Sequence, residues 1–496
     1  MTLLLAVLLA AAAPAAAPAA APAAAPAAAP AAPPAPAPPP STPEMYEAAL
    51  KAHAAGDAKG AAVKLHAWLA GAPRTAPNYQ PAQHQLAQDL HALGLTHAAL
   101  VYEEDVVRSR SRPELLPEAL QRLQAWSAEV PHDEVRLEEE LIHGADFGTL
   151  EGPVRGWVAY VQGSLDLRAG NQRWARLRFG ELPASSPWRS RATLLETALR
   201  LQQGQSDALA QFEAIARDAQ APVDVRNEAR ISAGRLRFEQ GDYKAALALY
   251  DSVELAELDP GRGQVYLEEA WTHYRLGEGS RAMGLLFALE APSFRNLFLP
   301  EKFLLRALIF KDACQWLPAK RAARALLRRY AEGIDAIHER RDLMTDPQLS
   351  EAAQQKGRGK RAADFVAELR LERDRLERYS GAFAEGGLNL TLSRMYGEEL
   401  AEAQRRWQLE LEDAVQRSAD ELLGAVEQVG LVDYEVGLAL YRRGPAAREA
   451  SKLAFASDKP AKGEVGYDFD GEYWNDELQS FRFALTDRCR EEEASK

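Results

Sequence analysis

The chain has 496 residues, 47% of them hydrophobic, and a formal net charge of −13. Positions 1–40 carry no charged side chain and 11 of the 29 prolines, so positions 41–496 hold all of that charge, with room for two or three domains or one long repeat array. A balance of 59 Lys and Arg against 72 Asp and Glu excludes a strongly basic nucleic-acid binder, whose phosphate contacts need concentrated cations.

The chain starts with a short apolar run, residues 3–9 (LLLAVLL), which continues into alanines until Pro14. A bilayer span needs about 20 apolar residues, so this run reads as a signal-peptide hydrophobic region over residues 1–13. No Lys or Arg precedes it, and no cysteine nearby offers a lipid-attachment site. Every residue from 10 to 40 is alanine or proline. Residues 14–42 therefore form a semi-rigid, structureless spacer of polyproline type. The expected location is outside the cytoplasm, in the periplasm or cell envelope. No later apolar stretch reaches the length that a bilayer span requires, so no transmembrane helix is expected. The two cysteines, Cys314 and Cys489, permit one disulfide across a very long loop or remain two free thiols.

From residue 43 the dominant signal is repetition. Glycines stand at Gly56, Gly94, Gly170, Gly204, Gly241 and Gly277, with a period in the mid-thirties. The interval from Gly94 to Gly170 is two periods, and Cys314 continues the series one period after Gly277. Five residues after the marker come Ala61, Ala99, Ala175, Ala246, Ala282 and Ala319. Seven before it come Ala49, Ala87, Gly163, Gly234, Ala270 and Ala307, with the Gly204 copy as the exception. Small residues at fixed places let two successive helices approach, and a glycine between them ends the first in the left-handed conformation. Large residues such as Phe179, Tyr250 and Leu286 fill the second helix, and a proline often closes the unit.

This pattern resembles the tetratricopeptide repeat, best seen in residues 229–260 and 266–292. The resemblance implies an all-α, right-handed superhelical solenoid over residues 43–332, about eight units long, with the copy near 114–150 poorly matched. In such a solenoid the first helices line a groove. Groove candidates fall six and three residues before the marker: Arg235 with Phe238, and Trp271 with Tyr274. Exposed aromatic and Arg side chains would anchor a protein or peptide partner, and the alternative for each is packing between repeats.

Past Tyr330 the repeat fades. Residues 367–379 (AELRLERDRLERY) read as a solvated, mixed-charge helix with a narrow apolar stripe at Phe365, Leu369 and Leu376. Gly386–Gly387 breaks it, and a second long helix is expected over about 392–429. Residues 333–450 are thus expected to form a long charged helical hairpin, protruding from the array, packed along it, or capping its last repeat. Residues 451–496 are expected to hold a small β element: an Asp470–Gly471 hairpin within 465–474, and a third strand at Phe481, Phe483 and Leu485. Residues 266–314 and the tail segment YDFDGEYWNDELQSFRF resemble exported tetratricopeptide-repeat proteins of gliding δ-proteobacteria, the AglT-like adventurous gliding motility proteins among them. That resemblance implies a scaffold in a cell-envelope motility or secretion-type assembly.

A search for chemistry finds no phosphate-binding G-x-x-x-x-G-K-[ST] loop and no H-E-x-x-H or G-x-S-x-G motif. Gly357-Arg358-Gly359-Lys360 reads as a basic helix junction. His132, Asp133, Glu134, Glu138, Glu139, Glu140 and His143 read better as a solvated acidic face than as a metal site. Asp468, Asp470, Glu472, Asp476 and Glu477 are dense enough in oxygen ligands for calcium, but their order does not match an EF-hand loop. No catalytic residue, metal ligand or cofactor is assigned. The expected function is a non-enzymatic exported scaffold for protein partners, with a structural envelope or peptidoglycan-proximal role, or a regulatory subunit, as the alternatives.

Overall fold

The computed structural model describes residues 41–148, 150–443, 466, 471–475 and 477–489, together with the backbone of 444–450. The expected signal region, the spacer through residue 40 and half of the 465–474 hairpin, its Asp470 included, lie outside the described residues. Among those described, every regular element is helical. None of these helices is long and apolar enough to cross a membrane.

The repeat region is a succession of helices: α1 (Pro43–Ala54), α2 (Ala58–Gly71), α3 (Tyr79–Ala92), α4 (Thr96–Ser109) and α5 (Leu116–Glu129), then a π-helical stretch Val135–His143. It continues with α6 (Pro153–Arg168), α7 (Gln172–Gly180), α8 (Pro187–Gln202), α9 (Ala208–Arg217), α10 (Val223–Glu239) and α11 (Tyr243–Asp251). Four more complete it: α12 (Pro260–Arg275), α13 (Gly279–Ala288), α14 (Glu301–Asp312) and α15 (Trp316–Arg329). The pairs α1/α2, α3/α4, α6/α7, α10/α11, α12/α13 and α14/α15 pack face to face. The weakly matched copy departs in structure too: its second element is the π-helix, which packs on α4 and α6.

All six marker glycines adopt positive φ, between 74° and 80°. Each turn closes with the same two bonds. At Gly241 its own N–H donates to the Phe238 carbonyl, and the next N–H, of Asp242, reaches back to Arg237. This is the Schellman arrangement, which satisfies the last carbonyls of the first helix. Asp57 and Asp242 then cap the second helix by accepting from the Gly60 and Ala245 N–H groups. Cys314 occupies the marker position with φ 53° and makes the same pair of bonds. A Cβ there costs about 1 kcal/mol that glycine avoids. In reduced protein, Cys314→Gly should therefore raise stability by about 0.5–1 kcal/mol; a loss measured by urea denaturation would contradict it.

The small-residue column before the marker has a packing reason. A Cβ on Gly163 would sit 2.5 Å from the Phe179 ring, and one on Gly234 would sit 2.6 Å from the Tyr250 ring. Both partners lie sixteen residues downstream. Where that downstream residue is Leu65, Leu286 or Ala323, the column holds Ala49, Ala270 or Ala307 instead. Ring volume on the second helix and missing volume on the first are matched, as close packing requires.

Compactness divides the chain differently from the expected 43–332, 333–450 and 451–496 segments. One compact unit joins the residues up to Leu195 with Arg361–Gln408; the other joins Glu196–Lys360 with the residues from Leu409 onward. After two short helices, α16 (Ala331–His338) and α17 (Pro347–Ala353), come α18 (Gly357–Glu377), α19 (Ser380–Phe383) and α20 (Leu388–Ala450), the last 63 residues long. Helices α18 and α20 each contribute residues to both units, so the expected hairpin segment is shared between them.

In the first unit, one core runs from Ala49 through the repeat helices to Phe365, Leu369, Leu376, Leu392 and Leu400. In the second, the later part of α20 lies against three earlier places: Leu422 neighbours Gly333, Ala414 neighbours Gly359, and Lys311 of α14 pairs with Glu435 at 2.9 Å.

The expected β element is corrected where the tail is described. The 477–489 segment alternates as foreseen, with Arg482 and Ala484 exposed between the half-buried Phe481, Phe483 and Leu485. Its partner is a helix rather than a strand: the Phe483 N–H donates to the Ser280 carbonyl at the start of α13. Alternation reports one covered face and leaves open what covers it.

Candidate partner-binding surface

The groove candidates lie on α10 and α12, the first helices of consecutive pairs in the second unit. Each side chain is half-buried. Arg235 is held by Glu268 of α12, its Nε 3.1 Å from both carboxylate oxygens. Burial opposes the charge on Arg235, but Glu268 outweighs it and holds the guanidinium above its ordinary pKa. Tyr274 donates its hydroxyl to Asp312 of α14 at 2.6 Å. Burial, and then the Asp312 carboxylate, raise its pKa. Phe238 meets Tyr243 edge to face at 5.2 Å, and Trp271 meets Tyr274 in the same way at 5.9 Å. Arg235 and Tyr274 therefore tie neighbouring pairs together, and of the four candidates Trp271 and Tyr274 meet ring to ring.

The surroundings are polar. The Trp271 indole N–H is buried and lies by the Glu301 carboxylate. At Glu301, the first residue of α14, burial reinforced by Glu421 raises the pKa against the hydrogen-bonding indole of Trp271. Burial likewise raises Glu228 on α10, against the nearby Arg235. Half-buried aromatic rings set among polar groups are what a recognition surface presents.

Sequence reasoning missed a buried polar node in the first unit. Glu372 sits within the charge-rich stretch of α18 yet is fully buried. Its carboxylate accepts from the His97 backbone N–H at 2.9 Å and from the Tyr396 hydroxyl at 2.6 Å. Burial pushes its pKa up to about 7. Nearby, Arg136 pairs with Glu104 at 2.7 Å and with Glu399. Burial drives Glu104 up to about 7 despite Arg136, and drives the His97 ring well below its usual value. The only sequence signal for the node was a carboxylate three residues after Leu369, on the helix's apolar stripe.

The His/Asp/Glu cluster at 132–143 is dispersed into separate ion pairs: Asp133 with Arg406 at 2.7 Å, Glu134 with Arg361 at 2.8 Å, and His143 with Asp166 at 3.1 Å. Among the described residues no group of three or more His, Cys, Asp or Glu could hold a metal. Gly359 lies where a Cβ would meet the Ala353 carbonyl at 2.4 Å, so close backbone contact accounts for the glycine in the 357–360 basic junction. Asp468, Asp470 and Asp476 of the acidic tail fall outside the described residues. Two exposed surfaces also escaped the sequence reading: Trp174 and Leu177 on α7, and Leu431, Tyr434 and Tyr441 on α20.

Cys314 and Cys489 form a disulfide with Cα atoms 5.2 Å apart across a separation of 175 residues. No family model matches the chain, and no curated protein matches it. Among solved structures it is similar to a tetratricopeptide repeat protein from Parabacteroides merdae, at 15% identity over 57% of this chain and 90% of that one, with a TM-score of 0.24. It is also similar to yeast Tom70, at 14% identity over 82% of this chain and 91% of that one, with a TM-score of 0.27. At such scores the global likeness is slight, and the helix-pair repeat stands on its own turns and packing.

Proposed function

We propose that the protein is a non-catalytic scaffold that binds a protein or peptide partner on the first-helix face around Trp271 and Tyr274. The observation that carries this reading is the edge-to-face pair of half-buried rings, Trp271 and Tyr274, on the first helix of the α12/α13 pair, set beside the desolvated Glu301 carboxylate. Trp and Tyr side chains are the residues that most often carry binding energy at such a surface. Arg235 and Phe238 act as the framework that holds this face.

Export to the periplasm or envelope belongs to the same proposal. Its support is the apolar run at 3–9, the Ala/Pro tract and a disulfide of the kind that persists in oxidising compartments. Membership of a motility or secretion-type assembly is supported by the resemblance of residues 266–314 and of the tail, and no cofactor enters the reading.

Trp271→Ala and Tyr274→Ala should each weaken partner capture from envelope extracts by on the order of tenfold. Thermal unfolding of the same variants serves as the control. Identical partner lists and yields for wild type and both variants would remove the groove from consideration.

A further inference from the structure

The 477–489 segment is bound to the second unit much as a foreign peptide would be. Ser280 makes both bonds of a peptide-pairing contact: its carbonyl accepts from the Phe483 N–H at 3.0 Å, and its hydroxyl donates to the Phe483 carbonyl. Further along, the Gln315 amide donates to the Thr486 carbonyl at 2.8 Å, and the Arg488 N–H donates to the Ala313 carbonyl at 3.1 Å. These bonds address backbone, so they read an extended conformation more than a sequence. Specificity comes from rings: Phe481 packs on Phe287 at 5.9 Å, and Phe483 meets Phe310 edge to face at 6.1 Å.

The receiving surface is shaped for this. A Cβ on Gly284, in mid-α13, would sit 1.9 Å from the Phe481 carbonyl oxygen, so any side chain there collides with the bound backbone. One on Gly279 would touch Leu485 at 3.0 Å. In the sequence register, Cys314 replaces the glycine of the earlier turns, which sets a sulfur where the segment ends.

We propose that this face, built from the start of α13 and the α14–α15 turn, is a binding site for an extended peptide with aromatic residues at alternate positions. The protein's own tail fills it in cis, and thiol–disulfide exchange at Cys314–Cys489 opens it. Cys489 is the more accessible sulfur, since Cys314 is buried. The thiolate of a dithiol reductant attacks Cys489, breaking the S–S bond, forming a mixed disulfide and expelling the Cys314 thiolate. The second thiol of the reductant, once deprotonated, displaces the Cys489 thiolate and leaves as a disulfide. Two electrons pass to the protein, and two protons follow as the cysteines become thiols. Closed, the disulfide keeps the tail at a high effective concentration against any competitor; open, the tail competes far less well. Trp271 makes none of these contacts, although Asp312, which holds Tyr274, directly precedes the Ala313 carbonyl that binds the tail.

The test uses the full chain and a fluorescent peptide of sequence ELQSFRFALTD, the protein's own residues 477–487, followed by anisotropy. Protein reduced with dithiothreitol, and separately Cys489→Ser, should bind the probe roughly tenfold or more tighter than oxidised protein. Gly284→Val in the Cys489→Ser background should abolish that gain. Ser280→Ala, a milder change, should reduce it. Trp271→Ala should leave probe binding unchanged, so failure here and failure of the groove reading are told apart. Equal affinity, or no binding, in oxidised, reduced and Cys489→Ser protein of unchanged helical circular dichroism would overturn the proposal.

Discussion

Replacing Gly163 by alanine is expected to destabilise the protein by about 1–2 kcal/mol, and the same replacement in a Phe179→Leu background is expected to be neutral or stabilising. Two effects oppose each other. Alanine is the better helix former by about 1 kcal/mol. Its Cβ, however, would lie 2.5 Å from the Phe179 ring, which is 3% exposed and has little room to withdraw. Overpacking of this kind costs about 1–3 kcal/mol, and the clash wins. Shortening the ring to leucine reproduces the Ala270–Leu286 combination found in the α12/α13 pair. Only the propensity gain should then remain. A double-mutant cycle by urea denaturation reads the coupling directly. Equal effects of Gly163→Ala in both backgrounds would show that the column is small for some other reason.

Glu372→Gln is expected to gain about 1–3 kcal/mol of stability relative to wild type between pH 5 and pH 8. Burial raises the Glu372 carboxyl to about 7, so the folded protein holds this proton more tightly than the unfolded chain does. Its favourable contribution is complete below the unfolded carboxylate range and is lost as pH rises through 7. Each tenfold difference in proton affinity between the two states is worth about 1.4 kcal/mol, and the rise from 4.5 to about 7 exceeds two such steps, which sets the upper end of that range. Glutamine keeps an acceptor for the His97 N–H and the Tyr396 hydroxyl but has no proton to lose. Glu104 and His97 titrate in both proteins and cancel in the difference. Denaturation of wild type and variant across that pH range measures it, and a gap independent of pH would show that Glu372 stays ionised in the fold.

The parts of the fold legible beforehand share one physical property: the residue alone nearly dictates the geometry. A left-handed residue that ends a helix is strongly selected for glycine, so six glycines in register announced six turns, and Cys314 in the same register announced a seventh. The small residues seven before every marker but Gly204 announced close helix approach for a similar reason. What stayed illegible depends on partners far along the chain. Arg235 and Tyr274 could be placed on first helices, yet nothing local said that Glu268, 33 residues on, and Asp312, 38 residues on, would engage them. The composition of residues 367–379 pointed to a solvated helix, because a count of charges does not say which one turns inward; Glu372 does.

From the sequence alone came the all-helical repeat, its period, its turns and the residues at its closest approaches, all consequences of backbone conformation and side-chain volume within a single repeat. The tertiary structure decided the remainder. It gave α18 and α20 to both compact units, buried Glu372 under Tyr396, joined Cys314 to Cys489, and laid the alternating tail on a helix instead of in a sheet. Each of those outcomes turns on which surfaces meet, and burial and unmet hydrogen bonds settle that only once the whole chain has packed.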